Sequence, residues 1–504
     1  MRFAEEPAAV LARLAELRAA DAPTHGGHVL SYVYDSGLTE LDELAAAAIR
    51  AVQPVNGLDP TTFTSVAVME GEVVAFAREL LGGAPDGSAP VSSSSPEVVG
   101  SVTTGGTESC LLAVKTARDL WVAAGNSGTA TLLAPVTVHA AFQKAAHYFG
   151  LELELVPVLP DGRADAAAMI ARLDPSVALV VVSAPSYPHA AMDPVQEVAA
   201  AALAAGIPCH VDACIGGWVL PFWSELEPWD FRVPGVTSIS ADLHKFGYAP
   251  KGVSVLLQRG RDRQRAQFFT TTRWPGYPVV NPTMLGSKSA GALAAGWAIT
   301  HALGRDGLRS LAESCERSTA ALIALVDSIE GLRVVGAPVG PLIAVATDAG
   351  APVDRQVDPH HWADQARAHG WLLQLQPGLT QSDDSVLPHT THLTITPVTE
   401  GVLPELSAAL VAAAEEVRGV PAVSPTDVLG ALPPELVAGL SSPDAPPLDS
   451  ESAFAILAGI GLVSNDDGGL PERMAPFLAL IAALPAPLTE RLLTELIARV
   501  VEPR

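Results

Sequence analysis

The segment "SISADLHKFG", residues 238–247, runs from small and β-branched residues into an acid, a histidine and a lysine. Lys245 is one of only five lysines against 25 arginines, so a plain surface cation here would more naturally be arginine. A lysine set among apolar strands can have its pKa lowered by desolvation and attack a carbonyl as a free amine. The alternative is a loop lysine paired with Asp242. Asp212 closes the apolar stretch "HVDA" ahead of "CIGG". A carboxylate buried there needs a cationic partner, and a protonated pyridine nitrogen is one such partner. Further upstream, "TTGGTES" places Gly105, Gly106 and Thr107 at the start of a helical pattern, where peptide N–H groups and the helix dipole can hold a phosphate. A glycine turn with Thr107 as N-cap is the plainer account of the same residues.

Cys209, His210, Asp212 and Cys214 crowd into "PCHVDACIGG", and all four side chains can ligate metal. On a strand, however, His210, Asp212 and Cys214 share one face while Cys209 and Val211 share the other. The reading is therefore of no metal site. With Cys110 and Cys315, the four cysteines make no disulfide framework in a chain of 504 residues, which fits a reducing compartment.

These residues need elements to hold them. From about residue 100 to 260, helical segments alternate with short apolar runs: "TATLLAPV", "LELELVPV", "ALVVVSA", "IPCHVDA", "VTSISAD" and "GVSVLLQ". That alternation predicts an α/β fold with a mainly parallel sheet, whose ligands bind at the carboxyl ends of the strands. Residues 285–330 read as helical. "LRVVGAP", "PLIAVAT", "WLLQLQP" and "THLTITP" among helices predict a smaller C-terminal α/β domain. The expected division is a helical segment 1–75, a large domain 76–310, a small domain 311–420 and a helical extension 421–504. Within it, "LTELDELAAAAIRAVQ" and "LTERLLTELIARVV" are amphipathic helices, as is the start "MRFAEEPAAVLARLAELRAA". "GGAPDGSAPVSSSSPEVVG" reads as a loop, and "PAVSPTDVLGALPPELVAGLSSPDAPPLDS" is Pro-rich.

A net charge of −25 argues against nucleic acid and against an anionic membrane surface. The longest apolar runs fall short of a membrane span, and the N-terminus lacks the apolar core of a signal peptide. A cytoplasmic enzyme is the expectation.

"TTGGTES", "HVDACIGGWVLPFW", "SISADLHKFGYAPKG" and "NPTMLGSKSAGALAAGWA" resemble motifs of the sphingosine-1-phosphate lyase family, within the group-II pyridoxal-phosphate decarboxylases of fold type I. The likeness covers roughly residues 28–400. It implies pyridoxal 5'-phosphate as cofactor, Lys245 as the lysine joined to it as an imine, and Asp212 against its ring nitrogen. Arginine could not form that imine. The resemblance further implies that His139, in "VHAAFQKAAHYFG", stacks on the ring, that His244 and Thr107 contact the phosphate, and that Ser287 reaches the cofactor phosphate of a partner subunit in a homodimer with shared active sites. Lys288 stands where the family usually has arginine. Tyr34 and Lys251 match residues near the substrate, Lys251 at a position linked to a substrate phosphate; without the resemblance they would read as core and solvated loop. Asp59, in "NGLDPTTF", replaces an expected histidine and would repel a phosphate placed beside it.

The implied reaction is carbon–carbon cleavage of a phosphorylated 2-amino-3-hydroxy long-chain base to an aldehyde and phosphoethanolamine. Amino-acid decarboxylation on the same cofactor is the alternative. A catalytically silent scaffold is disfavoured by the retention of Lys245, Asp212 and the glycine turn.

Overall fold

In the computed structural model, the structure describes residues 4–83, 97–424, 448–459 and 473–503. Most of the Gly/Ser/Pro loop and of the Pro-rich stretch expected after residue 420 lie outside them. Seven strands form the main sheet: β1 (Val98–Thr103), β2 (Thr131–Pro135), β3 (Glu152–Val156), β4 (Val177–Ser183), β5 (Cys209–Asp212), β6 (Val236–Ala241) and β7 (Ser254–Arg259). Their order is β1-β7-β6-β5-β4-β2-β3, and β3, β2, β4, β5 and β6 run parallel. β7 pairs antiparallel with both β6 and β1. All six apolar runs expected between residues 100 and 260 are strands, so the mainly parallel α/β sheet read from the alternation is the observed one.

β1 is an addition, because residues 98–100 closed a stretch read as loop. Gly100 hid it: a Cβ there would sit 2.5 Å from Leu257 Cδ2 and 2.7 Å from the Leu256 carbonyl, so β7 packs too closely for any other residue. The glycine that looks like a breaker permits the pairing.

β4, "VALVVVS", is buried throughout, as a central strand covered on both faces must be. Leu133, Val180 and Val182 enter one core cluster while Leu132, Ala134, Leu179 and Val181 enter another, and the two clusters are the two faces of the sheet. A helix spanning Gly291–Ser328, kinked at Gly304 where φ is +55°, leads to a second, antiparallel sheet ordered Leu332–Val334, Leu342–Thr347, Thr390–Thr394, Gln374–Gln376. The helices Pro359–Ala368 and Thr399–Val417 cover it, tied by Trp362 Nε1 donating to the Leu410 carbonyl at 2.9 Å. The segment at residues 28–30 is pinned there as well, through Leu30 N to Leu372 O and Thr394 N to Leu30 O, each 2.8 Å.

All three amphipathic expectations form helices, Thr39–Ala51 among them, and the two nearest the chain ends have different fates. Pro7–Arg18 buries none of its residues, whereas Ala486–Val501 packs Leu492 and Leu496 against Ile456, Leu457 and Leu480 of the helices Ser450–Gly459 and Ala475–Ala483. This helical cluster docks on the helix Pro359–Ala368, because the Asp364 carboxylate accepts from Met474 N at 2.8 Å and Ala475 N at 3.0 Å and so caps the helix Ala475–Ala483 from outside. Among the described residues, no helix is long and apolar enough to cross a membrane.

Replacing Asp364 by Ala should cost about 1 kcal/mol, the usual worth of a cap, and should raise amide exchange in the helix Ala475–Ala483. Unchanged exchange there in Asp364→Ala would show that the docking rests elsewhere.

Candidate active site

Strand register brings the chemistry together. Across the sheet Ser183 on β4 pairs with Asp212 on β5, and Asp212 pairs with Ser240 on β6, so three polar residues stand side by side at the carboxyl edge. Asp212 Oδ1 accepts from Cys214 N at 3.1 Å and Ser240 Oγ at 3.3 Å. Above this edge lies a cavity of about 250 Å³, lined among others by Asp212, Lys245, His139, Tyr34, Tyr187 and Gln374. The edge is where ligands of open α/β sheets bind.

Lys245 follows β6, and its Nζ lies 3.0 Å from Asp242 Oδ2. The pairing with Asp242, the alternative to a reactive amine, is thus present in a residue that also lines the cavity. Burial works against the charge on Lys245, yet Asp242, Cys214, Tyr34 and Asp212 together raise its pKa well above the ordinary lysine value. The expected lowering by desolvation is therefore corrected: sequence spacing displays the apolar strands but not the buried acid that outweighs them. Burial likewise opposes ionisation of Asp242, but Lys245 and His244 hold its carboxyl far below the usual range. His244 Nε2 lies 3.4 Å from the same oxygen, and its Nδ1 accepts from Val253 N at 3.3 Å.

The glycine turn meets this pair. Gly105, at φ +148°, is the N-cap of the helix Gly106–Ala123, so Thr107 lies inside the first turn and is not the cap. Thr107 is exposed. A Cβ on Gly106 would lie 2.5 Å from Asp242 Oδ2 and 2.8 Å from Cys214 Sγ. The helix start and the lysine's acid thus touch across a residue that must be glycine.

Lys251 does not line the cavity, but its Nζ sits 4.3 Å above the ring of Tyr34, which does, and donates to the His244 carbonyl at 3.1 Å. Burial, then the nearby Lys245 charge, bring the Lys251 pKa down to about 8. Burial also pushes the Tyr34 phenol up to about 12, with Lys245 pulling the other way. His139 lines the cavity with its Nδ1 accepting from Ala141 N at 3.2 Å, which fixes the ring at the start of the helix Ala140–Phe149.

Asp59 and Ser287 do not line this cavity. Asp59 caps its own turn, accepting from Thr61 and Thr62 through both backbone N–H and hydroxyl groups at 2.6–3.1 Å, and these bonds hold its carboxyl far below the usual range. Ser287 Oγ accepts from Asn56 Nδ2 at 3.3 Å, and Gly57 N donates to the Lys288 carbonyl at 2.7 Å. Within one chain, then, Asp59 is engaged by its own turn and stands apart from this cavity. Both residues belong to one pair of joined loops.

Strand alternation holds for the cysteine-rich segment: Cys209 and Val211 enter one core cluster and Cys214 the other. His210 is held between Ser238 Oγ at 2.8 Å and Ser240 Oγ at 3.1 Å, and burial brings its pKa down to about 4. Cys110, which lies outside that segment, joins Asp212 and Cys214 with ligand atoms within 4.8 Å of one another. Burial raises the Cys110 thiol, and the bond to Cys110 together with burial raises Cys214, which disfavours the thiolates a metal requires.

Sequence reasoning missed Tyr32, Ser183, Tyr187 and Gln374, all lining the cavity. "SAPSYPHAA" follows the end of β4, and its position at a carboxyl strand end was a usable signal for Tyr187. Gln374 carried none, because it arrives from the second sheet.

Residues 33–344 match the conserved domain of the pyridoxal-dependent decarboxylases, and residues 428–499 match a profile named for a C-terminal HTH domain of pyridoxal-dependent enzymes. The chain belongs to the pyridoxal-dependent decarboxylase family. Within it, the chain is 36% identical to sphingosine-1-phosphate lyase 1 of Rattus norvegicus, over 72% of this chain and 61% of that protein, so it spans less than two thirds of that relative's length. The solved sphingosine-1-phosphate lyase of Burkholderia pseudomallei superposes with a TM-score of 0.74 at 32% identity, covering 83% of this chain and 92% of that one. A glutamate decarboxylase of Lactobacillus brevis superposes at 0.71 with 18% identity, a likeness of fold alone.

Pyridoxal 5'-phosphate is the cofactor of this family, and the cavity's donor set fits it. An amine, a carboxylate and an imidazole line it, and the helix start with its two glycines lies beside it against Asp242 and Cys214; these are the groups that an aldehyde, a pyridine nitrogen, an aromatic ring and a phosphate call for. The volume closed to a Cβ at Gly106 ties the helix start to the lysine side of the site. Gly106→Ala should therefore destabilise the fold by about 1–3 kcal/mol through overpacking and weaken cofactor affinity. A variant melting like the wild type with unchanged affinity would contradict that close packing.

Proposed function

We propose that this protein is a pyridoxal-phosphate-dependent carbon–carbon lyase that cleaves a phosphorylated 2-amino-3-hydroxy long-chain base to an aldehyde and phosphoethanolamine. The observation that carries the reading is Lys251, a cation held on the ring of Tyr34, which lines the cavity that contains Lys245. A cation one side chain away from the cavity suits a substrate bearing a phosphate as well as an amine. The identity with sphingosine-1-phosphate lyases supports the same choice. We take the cytoplasm as the location, in keeping with four free cysteines.

In this proposal Lys245 would hold the cofactor by its aldehyde, and Asp212 would face its ring nitrogen. His139 covers the ring, while peptide N–H groups of Gly105–Thr107 and the side chains of Thr107 and His244 hold the phosphate. The bound cofactor supplies an electron sink for the bond being broken. Asp242 keeps the Lys245 proton in place until a substrate amine enters, and Cys214 N and Ser240 Oγ orient the Asp212 carboxylate. Tyr34 stays a neutral phenol at physiological pH, and Lys251, with a pKa near 8, is the rim group whose proton is labile.

A second copy of the chain completes the proposal. The joined loops of Asp59 and Ser287 continue into a hairpin whose Phe269, Trp274, Tyr277, Val280, Met284 and Leu285 are all exposed. Such an apolar surface is suited to burial against a partner. On that surface Ser287, Lys288 and Asp59 would face the partner's cavity and not their own.

Four measurements test this reading. Borohydride reduction of the cofactor-loaded protein should leave a pyridoxyl group on Lys245 and on none of the other four lysines. With a phosphorylated long-chain base the enzyme should release aldehyde and no carbon dioxide; carbon dioxide from an amino acid, with the phosphorylated base untouched, would make it a decarboxylase. Because the charged form of Lys251 binds the phosphate, kcat/KM should fall as pH rises through about 8, and Lys251→Arg, which stays charged, should shift that fall upward. An unshifted profile in Lys251→Arg would remove Lys251 from phosphate recognition. Asp212→Ala should retain cofactor while turnover drops severely.

A further inference from the structure

Tyr187 reaches the cavity from the loop after β4, and two groups of the second sheet fix it. Its ring stacks on His392 with centroids 4.3 Å apart, and its Oη donates to Gln374 Oε1 at 2.5 Å. Gln374 and His392 are partners across the strands Gln374–Gln376 and Thr390–Thr394, so one rung of the sheet sets both the plane and the hydroxyl direction of this tyrosine. Burial brings the His392 pKa down to about 3, which leaves a neutral ring behind the phenol. Gln374 continues the chain of bonds outward, its Nε2 donating to Tyr32 Oη at 2.8 Å. Tyr32 sits exposed at the rim with a left-handed backbone, φ +60°, a conformation that costs a non-glycine residue free energy and is found where function holds it.

The bonds have a direction. An amide whose nitrogen donates to Tyr32 must turn its oxygen to Tyr187, and that oxygen takes the only proton Tyr187 has. Burial raises the Tyr187 pKa, so the phenol keeps this proton. The Thr394 side chain is hydrogen-bonded to the same phenol and engages one of its lone pairs. What remains of Tyr187 Oη toward the cavity is lone pair, which accepts a hydrogen bond and cannot donate one.

We propose that Gln374 is a positioning residue that makes Tyr187 an acceptor toward the cavity and thereby selects ligands carrying a hydroxyl on the carbon next to the amine-bearing one. The inference rests on the lyase reading for its substrate class, but the geometry applies to any 2-amino-3-hydroxy ligand. A ligand lacking that hydroxyl leaves the lone pair of Tyr187 unpaired, and a site built for a hydroxyl rejects an analogue without one.

The test uses the cofactor-loaded full chain and stopped-flow absorbance to obtain dissociation constants before turnover. Two ligand pairs serve: sphinganine 1-phosphate with its 3-deoxy counterpart, and L-threonine with L-2-aminobutyrate. Wild type should prefer the hydroxylated member of at least one pair by about tenfold, the usual worth of one hydrogen bond to a buried group. Gln374→Leu should lose the preference by weakening only the hydroxylated ligand. Gln374→Glu, which keeps an acceptor for Tyr187 and loses the donor to Tyr32, should restore it. Should Gln374→Leu fail to fold, Tyr187→Phe carries the same expectation, since it removes the acceptor itself. Equal weakening of both members, a preference that survives Gln374→Leu or Tyr187→Phe, or a wild type that discriminates in neither pair or binds none of the four ligands overturns the proposal. Preference within the amino-acid pair alone, with neither phosphorylated ligand bound, would uphold Gln374 and refute the lyase reading.

Discussion

The buried pair of Lys245 and Asp242, 3.0 Å apart at the carboxyl edge of the main sheet, constrains everything near it. An ammonium and a carboxylate removed from water each cost several kcal/mol, and only close pairing with further hydrogen bonds offsets this. The surroundings follow from that requirement. Gly106 has no side chain because Asp242 occupies its space, and His244 turns an imidazole to the same carboxylate. Asp242 Oδ1 has no hydrogen-bond partner among the described residues, so the charge is held chiefly through its other oxygen. A lysine so paired is fixed in position but is not a free amine. The site is poised, and its reactivity depends on what enters the cavity.

How much of this was legible follows from the distance over which each feature is specified. The strands from β2 to β7, the glycine turn, Asp212 and Lys245 are local patterns: an apolar run, a breaker, a polar residue at the strand's end. The sign of the Lys245 shift was not, because it depends on whether an acid three residues away turns inward. Tyr187 and Gln374 are 187 residues apart and meet only because the second sheet folds over the edge of the first. β1 was lost to Gly100, whose reason for being glycine lies in Leu257 on another strand. Asp59 is hard to read for a related cause. A carboxylate that caps its own turn looks, in one dimension, the same as one that faces a ligand.

The C-terminal region shows why a motif name should be weighed against charge. Residues 428–499 carry nine acids and three bases, whereas a helix that reads DNA must approach phosphates with lysine or arginine. In the described part, two of those bases are already engaged, since Arg491 and Arg499 both hold Glu495. The helix Ala475–Ala483 instead touches the strand Gln374–Gln376 and the helix Pro359–Ala368. A module capped by Asp364 thus rests on the strand that carries Gln374.

The five lysines bear on the same theme. Lys115 donates to the carbonyls of Ala266, Gln267 and Phe268 at 2.8–3.2 Å, a three-donor geometry that suits a compact ammonium and not a planar fork. Lys245 and Lys251 stand at the cavity, where a proton that can leave is the useful property, and arginine never gives up its own. Lys288 bonds Thr283 Oγ1 at 3.2 Å within the loops joined to Asn56, and Lys144 lies over the Tyr148 ring. A chain that otherwise uses arginine for its surface charge thus places lysine chiefly where shape or proton exchange demands it, and the two lysines at the cavity differ in pKa in opposite directions. That split follows from position: Asp242 lies against Lys245 and raises it, whereas burial and the charge of Lys245 lower Lys251 against a weaker upward pull from Asp242. The buried carboxylate therefore sets the locked cation that would hold the cofactor, and that cation in turn helps to make its neighbour the labile one.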